Sequence, residues 1–322
     1  MIICGPTATG KTSLGIHLAK KISAKGGPAS GWNAEIVSAD SRQVYKGMDI
    51  GTSKDLPKNS KLPVGYYLFS GIPVWLLDVV APNQEFNVSQ YINLAQKVIK
   101  DIWQRHKLPI IVGGTGFYIK GLVDGIETLG VEPDWELRSR LEGLPAPKLF
   151  DLLARFDPGK AASMNVSDRK NPRRLIRAIE IASKSRRLKT KDRKQKIKAE
   201  ILFIGLKAEY KELYKRIDKR VEERVEMGVE KEIKKLIKKG YSWNLPAMSA
   251  MGYREWQTFF DGKATKEEII QKWKFDEHGY ARRQLTWFKK DERIKWFDIT
   301  SPGFKNKVEK LVESWYTGLN AE

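Results

Sequence analysis

The chain has 322 residues, and its 59 Lys and Arg against 39 Asp and Glu give a net charge of +20. That length suits two domains, or one large core with an insertion, and so basic a balance points to a polyanionic partner, most simply nucleic acid, with a solvated basic surface kept for solubility as the alternative. One cysteine, Cys4, excludes an internal disulfide framework; no run approaches the about 18 uninterrupted apolar residues of a membrane span; and the N-terminus lacks the basic-then-apolar order of a secretory signal. The expectation is a soluble cytoplasmic protein, with nothing demanding more than a monomer.

Met1-Ile2-Ile3-Cys4 is a short apolar run that reads as a strand, with Cys4 buried in it rather than a nucleophile. Gly5 to Gly10 read as a loop. From Lys11 onward Leu14, Leu18 and Ile22 recur at helical spacing. Lys25 to Gly31 is a Gly/Pro/Ser break. Glu35 to Ala39 is a second strand ending at Asp40, Val74 to Val80 another, Gln90 to His106 a helix, and Pro109 to Val112 a buried strand ending at Gly113-Gly114. Strands alternating with helices imply a mostly parallel sheet covered on both faces.

After about Gly125 the pattern turns helical and basic. Lys184 to Lys198 holds nine Lys or Arg and one acid, Asp192; such a run serves a disordered linker or a nucleic-acid-binding strip equally well. Ile201 to Leu206 returns to a strand, and Tyr210 to Lys239 reads as a long charged helical stretch. Trp287, Phe288, Trp296 and Phe297 are expected in the core rather than as base-stacking groups, and His278 as a surface or packing residue.

Gly5-Pro6-Thr7-Ala8-Thr9-Gly10-Lys11-Thr12 matches G-x4-G-K-[ST] in full, with an apolar strand before it and a helix after it. Glycines let the backbone wrap so that its N–H groups meet phosphate oxygens, and the following helix turns its positive end to the same anion. Lys11 adds a cation, and the Thr12 hydroxyl suits Mg2+. The motif specifies polyphosphate without specifying a nucleoside triphosphate. The fold class that follows is α/β: a P-loop NTPase-like parallel-sheet core, residues 1–122 and 201–322, with an inserted helical, basic domain at 123–200.

A phosphotransferase usually places an acid at the end of a second apolar strand to hold Mg2+. Asp78 is a weak candidate, while Ile110-Ile111-Val112 ends in the carboxylate-free loop Gly113-Gly114-Thr115-Gly116. Asp40-Ser41-Arg42-Gln43 follows the second strand, and the carboxyl ends of parallel strands line the site. A carboxylate there suits Mg2+ binding, helix capping or general-base work, and the residues alone leave the three open. A small-molecule kinase using ATP is accordingly an alternative reading of the P-loop, and a basic nucleic-acid-binding protein without catalysis a third.

Several further segments go with these: Ile36 to Tyr45, Met48-Asp49-Ile50-Gly51-Thr52-Ser53-Lys54, Pro109 to Tyr118, Asn171 to Glu180, Met251-Gly252-Tyr253-Arg254-Glu255 and Tyr280 to Phe288. In this order, over nearly the whole chain, the set resembles the tRNA dimethylallyltransferase (tRNA prenyltransferase, IPP transferase) family. The resemblance implies transfer of the dimethylallyl group from dimethylallyl diphosphate to the exocyclic amine of an adenine beside the tRNA anticodon. It implies Asp40 as general base, and Lys11, Thr12, the loop amides of Gly5 to Thr12 and Arg220 on the diphosphate, with Mg2+ offsetting its charge. It also implies tRNA contacts at Asp40, Ser41, Arg42, Gln43, Thr115, Arg138 and the segment Arg173, Arg174, Leu175, Ile176, Arg177. The chain departs from the family pattern where two histidines commonly precede Leu76-Leu77-Asp78, for here Val74-Trp75 stand. It departs again at Glu277-His278-Gly279, where a Thr-Arg-Gln triplet is usual, and at Arg173, where Gln is frequent.

Overall fold

A computed structural model describes residues 1–24, 34–57, 65–126, 128, 131–185, 196–197 and 199–319. They fall into two compact units, Met1–Val123 with Ile197–Glu322, and Asp124–Lys196. Of the basic run 184–198, residues 186–195 and 198 lie outside the described residues.

The first unit begins with β1 (Ile2–Cys4), α1 (Lys11–Ala24) and β2 (Ala34–Ser38). The hairpin β3 (Tyr66–Phe69) and β4 (Ile72–Trp75), α2 (Val88–Gln104), β5 (Leu108–Val112) and α3 (Gly116–Asp124) follow. The second unit is helical, with α4 (Trp135–Leu141), α5 (Ala146–Phe156), α6 (Pro158–Ser163), α7 (Val166–Arg169) and α8 (Pro172–Ser185). The first unit then resumes with β6 (Phe203–Lys207), α9 (Tyr210–Glu226), α10 (Val229–Lys238), a 3-10 turn at Arg254–Trp256 and α11 (Gln257–Phe260). It ends with α12 (Lys266–Phe288), β7 (Ile294–Asp298) and α13 (Phe304–Leu319). Where the chain leaves and rejoins this unit, the Ile197 amide donates to the Leu122 carbonyl at 3.2 Å.

The described strands form one sheet in the order β3-β4-β2-β5-β1-β6-β7. Every pairing is parallel except the β3–β4 hairpin. Residues of β1, β2 and β5 are all buried, as near-continuous apolar runs require when helices cover both faces. The register sets Ile2 opposite Ile111 and Phe203, and Val37 opposite Ile111 and Trp75. The carboxyl ends of β1, β2 and β5 therefore lie side by side, which brings Gly5, Asp40 and Gly113 to one edge of the sheet.

Several local expectations change. The strand expected over Val74 to Val80 is β4 alone, because Leu76 and Asp78 take left-handed φ values of 65° and 53° and turn the chain out of the sheet. Val80 keeps only an isolated bridge to Tyr45. The stretch Tyr210 to Lys239 is two helices, broken where Gly228 adopts φ 91°. The helix near Gln90 starts two residues earlier, where Asn87 and Gln90 form a reciprocal capping box. Phe288 is buried, but Trp287 is 43% exposed and Trp296 and Phe297 are half-buried on the edge strand β7. The Trp287 ring sits edge-on to Phe117 and presses on Gly116, where a Cβ would lie 2.1 Å from its Cδ1. His278 packs as expected, stacked on Tyr214 at 4.0 Å and bonded to Asp218 at 2.7 Å.

The second unit has its own core, in which Leu149 and Leu153 of α5 meet Leu175 and Ile179 of α8. Among the described residues no helix is long and apolar enough to cross a membrane.

Candidate active site

The loop after β1 is shaped by close approach and by left-handed backbone. A Cβ on Gly5 would lie 2.3 Å from the Leu206 carbonyl oxygen, so only glycine lets β1 turn away beside β6. Ala8 and Gly10 follow with φ 62° and 81°. The Thr9 hydroxyl and the Lys11 ammonium both donate to the Pro6 carbonyl, at 2.8 and 2.6 Å, and fix the curl. The first bond of α1 runs from the Leu14 amide to the Gly10 carbonyl at 2.9 Å. The amides ahead of it have no partner within the helix and, with the helix dipole, favour an anion. Burial, reinforced by Arg220, lowers the Lys11 ammonium to about 8.

Asp40 stands two residues beyond β2. Its Oδ1 accepts the amides of Arg42 and Gln43 at 2.8 and 3.3 Å, so one oxygen holds the turn. Among the described residues nothing binds Oδ2. The β5 loop reaches this turn because Gly113 lacks a side chain, as a Cβ there would lie 2.2 Å from the Ala39 carbonyl oxygen. Thr115 is engaged with the same turn: its Oγ1 accepts the Ser41 amide at 3.0 Å and donates to the Ser41 hydroxyl at 3.3 Å. Arg42 donates to the Pro246 carbonyl at 2.9 Å, and Gln43 to the carbonyls of Thr52 and Ser53 at 3.1 and 2.9 Å.

Helices α9 and α12 close the other side. Arg220 donates to the Thr7 hydroxyl of the loop. Glu277 gives one oxygen to each of two arginines, Oε1 to Arg224 at 3.1 Å and Oε2 to Arg220 at 3.7 Å. Burial pushes the Glu277 carboxyl up, and the two guanidinium groups outweigh it and hold it below the usual range. Arg220 is lowered to about 10 by burial and by Arg224 one helical turn away. Gln284 of α12 joins two loops, accepting from the Thr7 amide at 2.8 Å and donating to the Gly114 carbonyl at 2.9 Å.

The segment Asp49 to Lys54 is pinned from two sides. Glu232 accepts the amides of Asp49, Ile50 and Gly51 at 2.9, 2.9 and 3.2 Å and the Tyr253 hydroxyl at 2.6 Å. The buried Lys54 ammonium donates to the Tyr45 carbonyl at 2.6 Å, to Asp49 at 2.7 Å and to Asp78. Asp78 also accepts from Tyr67, so this carboxylate serves a structural network and does not line the site.

These elements enclose a cavity of about 780 Å3 that touches Thr7, Lys11, Thr12, Asp40, Gly113 and Arg220. Arg224, Glu277 and Tyr280 also line it, none of them named as a site residue from the sequence. Arg220 and Arg224 are four residues apart, a spacing that puts both on one face of α9. Gln284 falls in the Tyr280 to Phe288 segment and Glu277 at a departure from the pattern, but no spacing gives the partners that each meets only through the tertiary fold.

The remaining basic candidates belong to the second unit. Glu180 is fully buried there and accepts Arg138 at 2.6 and 3.0 Å, Arg177 at 3.1 Å and the Asp134 amide at 3.0 Å. Arg173 and Arg174 are exposed, with Arg174 paired to Asp168; Ile176 is half-buried, and Leu175 is buried in the core of the unit.

The comparisons agree with one another. A family model described as IPP transferase matches residues 43–291. A tRNA dimethylallyltransferase of Roseiflexus sp. (strain RS-1) is 37% identical over 318 residues, covering 97% of each chain. One from Geobacillus thermodenitrificans (strain NG80-2) is 38% identical over 319 residues, covering 97% of this chain and 94% of the relative. The crystal structure of a tRNA delta(2)-isopentenylpyrophosphate transferase from Staphylococcus epidermidis aligns with TM-score 0.67 and 32% identity over 98% of both chains. A eukaryotic dimethylallyltransferase acting on tRNA aligns with TM-score 0.76 and 25% identity over 97% of this chain and 77% of that one.

Proposed function

The chain belongs to the IPP transferase family, and from that premise we propose that it transfers the dimethylallyl group of dimethylallyl diphosphate to the exocyclic amine of an adenine beside the anticodon of tRNA, releasing diphosphate. The observation that carries the reading is the shared cavity: the phosphate loop, Arg220 and the free oxygen of Asp40 open onto one space.

In this reading Lys11, the loop amides and Arg220 hold the diphosphate. As the carbon–oxygen bond to the prenyl group breaks, these donors take up the charge developing on the leaving group. The adenine nitrogen forms the new bond to the prenyl carbon, and its proton passes to Asp40 Oδ2. A stacked base cannot reach a buried prenyl carbon, so the adenine is turned out of its stack. Arg138, Arg173, Arg174 and Arg177 supply the basic surface that follows the RNA backbone.

Thr12, on the first turn of α1 and on the cavity wall, suits a Mg2+ held mainly by phosphate and water, since that ion needs only one or two protein ligands. Bound there with the diphosphate, the ion would offset its charge. The reading places the enzyme in the cytoplasm, where tRNA is, and as a monomer, since one chain supplies every residue named. The kinase alternative loses Asp78, which is already taken by Lys54 and Tyr67, and the relatives that match nearly the whole chain are dimethylallyltransferases.

The test is label transfer from dimethylallyl diphosphate to unmodified tRNA with Mg2+, run beside a proven enzyme of the family. Labelled tRNA is the expected result; an unlabelled pool beside a labelled control would overturn the reading.

A further inference from the structure

The loop and α9 bring three cations to one wall of the cavity: Lys11, Arg220 and Arg224. Inorganic diphosphate is a multiply charged anion, so each buried cation on the wall tightens its binding, and tight binding of a product slows its release. Glu277 changes that balance. It is 7% exposed, lies on the cavity wall, and commits one oxygen to each arginine. Arg224 is itself held by the Gly51 carbonyl at 3.2 Å and lies over the Trp273 ring at 5.2 Å, so it stays beside Glu277. The position is also one where this chain departs from the pattern it resembles, with a carboxylate in place of a hydroxyl.

We propose that Glu277 is a built-in counter-anion, a positioning residue that acts through Arg220 and Arg224 to limit how tightly the site holds diphosphate and so to let the product leave. This rests on the reading of the loop as a diphosphate site. The carboxylate shares Arg220 with Thr7, for the nitrogen that donates to the Thr7 hydroxyl is also the one 3.7 Å from Glu277, and it subtracts one unit of charge from the wall. Removing it leaves the wall more attractive to an anion, although a stabilising ion pair has been lost. A purely structural role for Glu277 predicts the opposite sign.

The experiment is calorimetric binding of inorganic diphosphate to the full chain, with Glu277→Gln, Arg224→Gln and the double variant. One unit of charge near the ligand, screened by water, corresponds to about fivefold in affinity. Glu277→Gln is expected to bind diphosphate about fivefold more tightly, with kcat and the KM for prenyl diphosphate falling together as product release slows. Arg224→Gln is expected to bind it about fivefold more weakly, and the double variant to return toward the unsubstituted chain. Unchanged or weaker binding by Glu277→Gln overturns the inference, as does Arg224→Gln binding as tightly as the unsubstituted chain should the first variant not fold. If the unsubstituted chain binds no diphosphate, the reading of the site falls and the inference with it.

Discussion

Gln284 accepts the Thr7 amide at 2.8 Å with its oxygen while its nitrogen donates to the Gly114 carbonyl at 2.9 Å. One side chain from α12 thereby fixes the spacing between the phosphate loop and the β5 loop. Gln284→Ala leaves both groups without their partner in a buried place, a loss of about 1–3 kcal/mol. Thermal unfolding and diphosphate affinity are both expected to fall. Unaltered values for both would show that the two loops hold their spacing without the tie.

Asp40→Asn keeps an oxygen to accept the amides of Arg42 and Gln43, so the turn survives while the proton acceptor is lost. Transfer to tRNA is expected to drop by about two orders of magnitude or more, with prenyl diphosphate binding little changed. Transfer at the normal rate in single-turnover measurements would remove Asp40 from the proton path.

Burial holds the Lys11 ammonium at about 8, so the free site loses this cation as pH rises through that value. A bound anion favours the charged form, so diphosphate binding just above about pH 8 takes up a proton. Calorimetry in two buffers of different ionisation heat reads that uptake directly, and Lys11→Ala should abolish it. Equal uptake by the variant would assign the proton to another group.

Trp75, at a position where the resemblance sets a histidine, donates to Glu35 at 2.8 Å beside Arg105 and Lys107. Burial works against ionising Glu35, but these donors outweigh it and hold the carboxyl at about 2, against 4.5 ordinarily. A depressed carboxyl contributes stability that is present above the ordinary value and lost as pH falls toward the folded one. About 3 kcal/mol should disappear on acidification across that window. Glu35→Gln should be less stable at neutral pH and nearly flat over the window; an identical acid limb in the variant would exclude Glu35 as its source.

Arg173→Ala with Arg174→Ala should weaken tRNA binding evenly across sequences and reduce its salt slope by about two. Arg138→Ala should behave differently, since it strips a partner from the buried Glu180. It is expected to lower the melting temperature of the chain, which the exposed pair is not.

What was legible in the sequence was contiguous. The strand, glycines, lysine and helix of residues 2 to 24 are one local unit, and Asp40 and Gly113 are placed by the rule that strand ends line a parallel-sheet site. Gln284, Glu277 and Glu232 act on residues far away in the chain, so no local spacing marks them. The β4 strand reads too long because Leu76 and Leu77 are apolar and buried, yet Leu76 is left-handed; an apolar run specifies burial, not backbone. Trp287 misleads in the opposite way, for its ring packs on Gly116 and Phe117 and yet stays 43% exposed.

The hydrogen bond from Ile197 to Leu122 closes the polypeptide between them into an excursion whose two ends touch. Such an excursion can be excised and its ends rejoined by a short turn without shifting β5 or β6. The connection is therefore modular at this point: a helical cassette of other length or charge fits between the same two residues while the sheet keeps its loop and carboxylate.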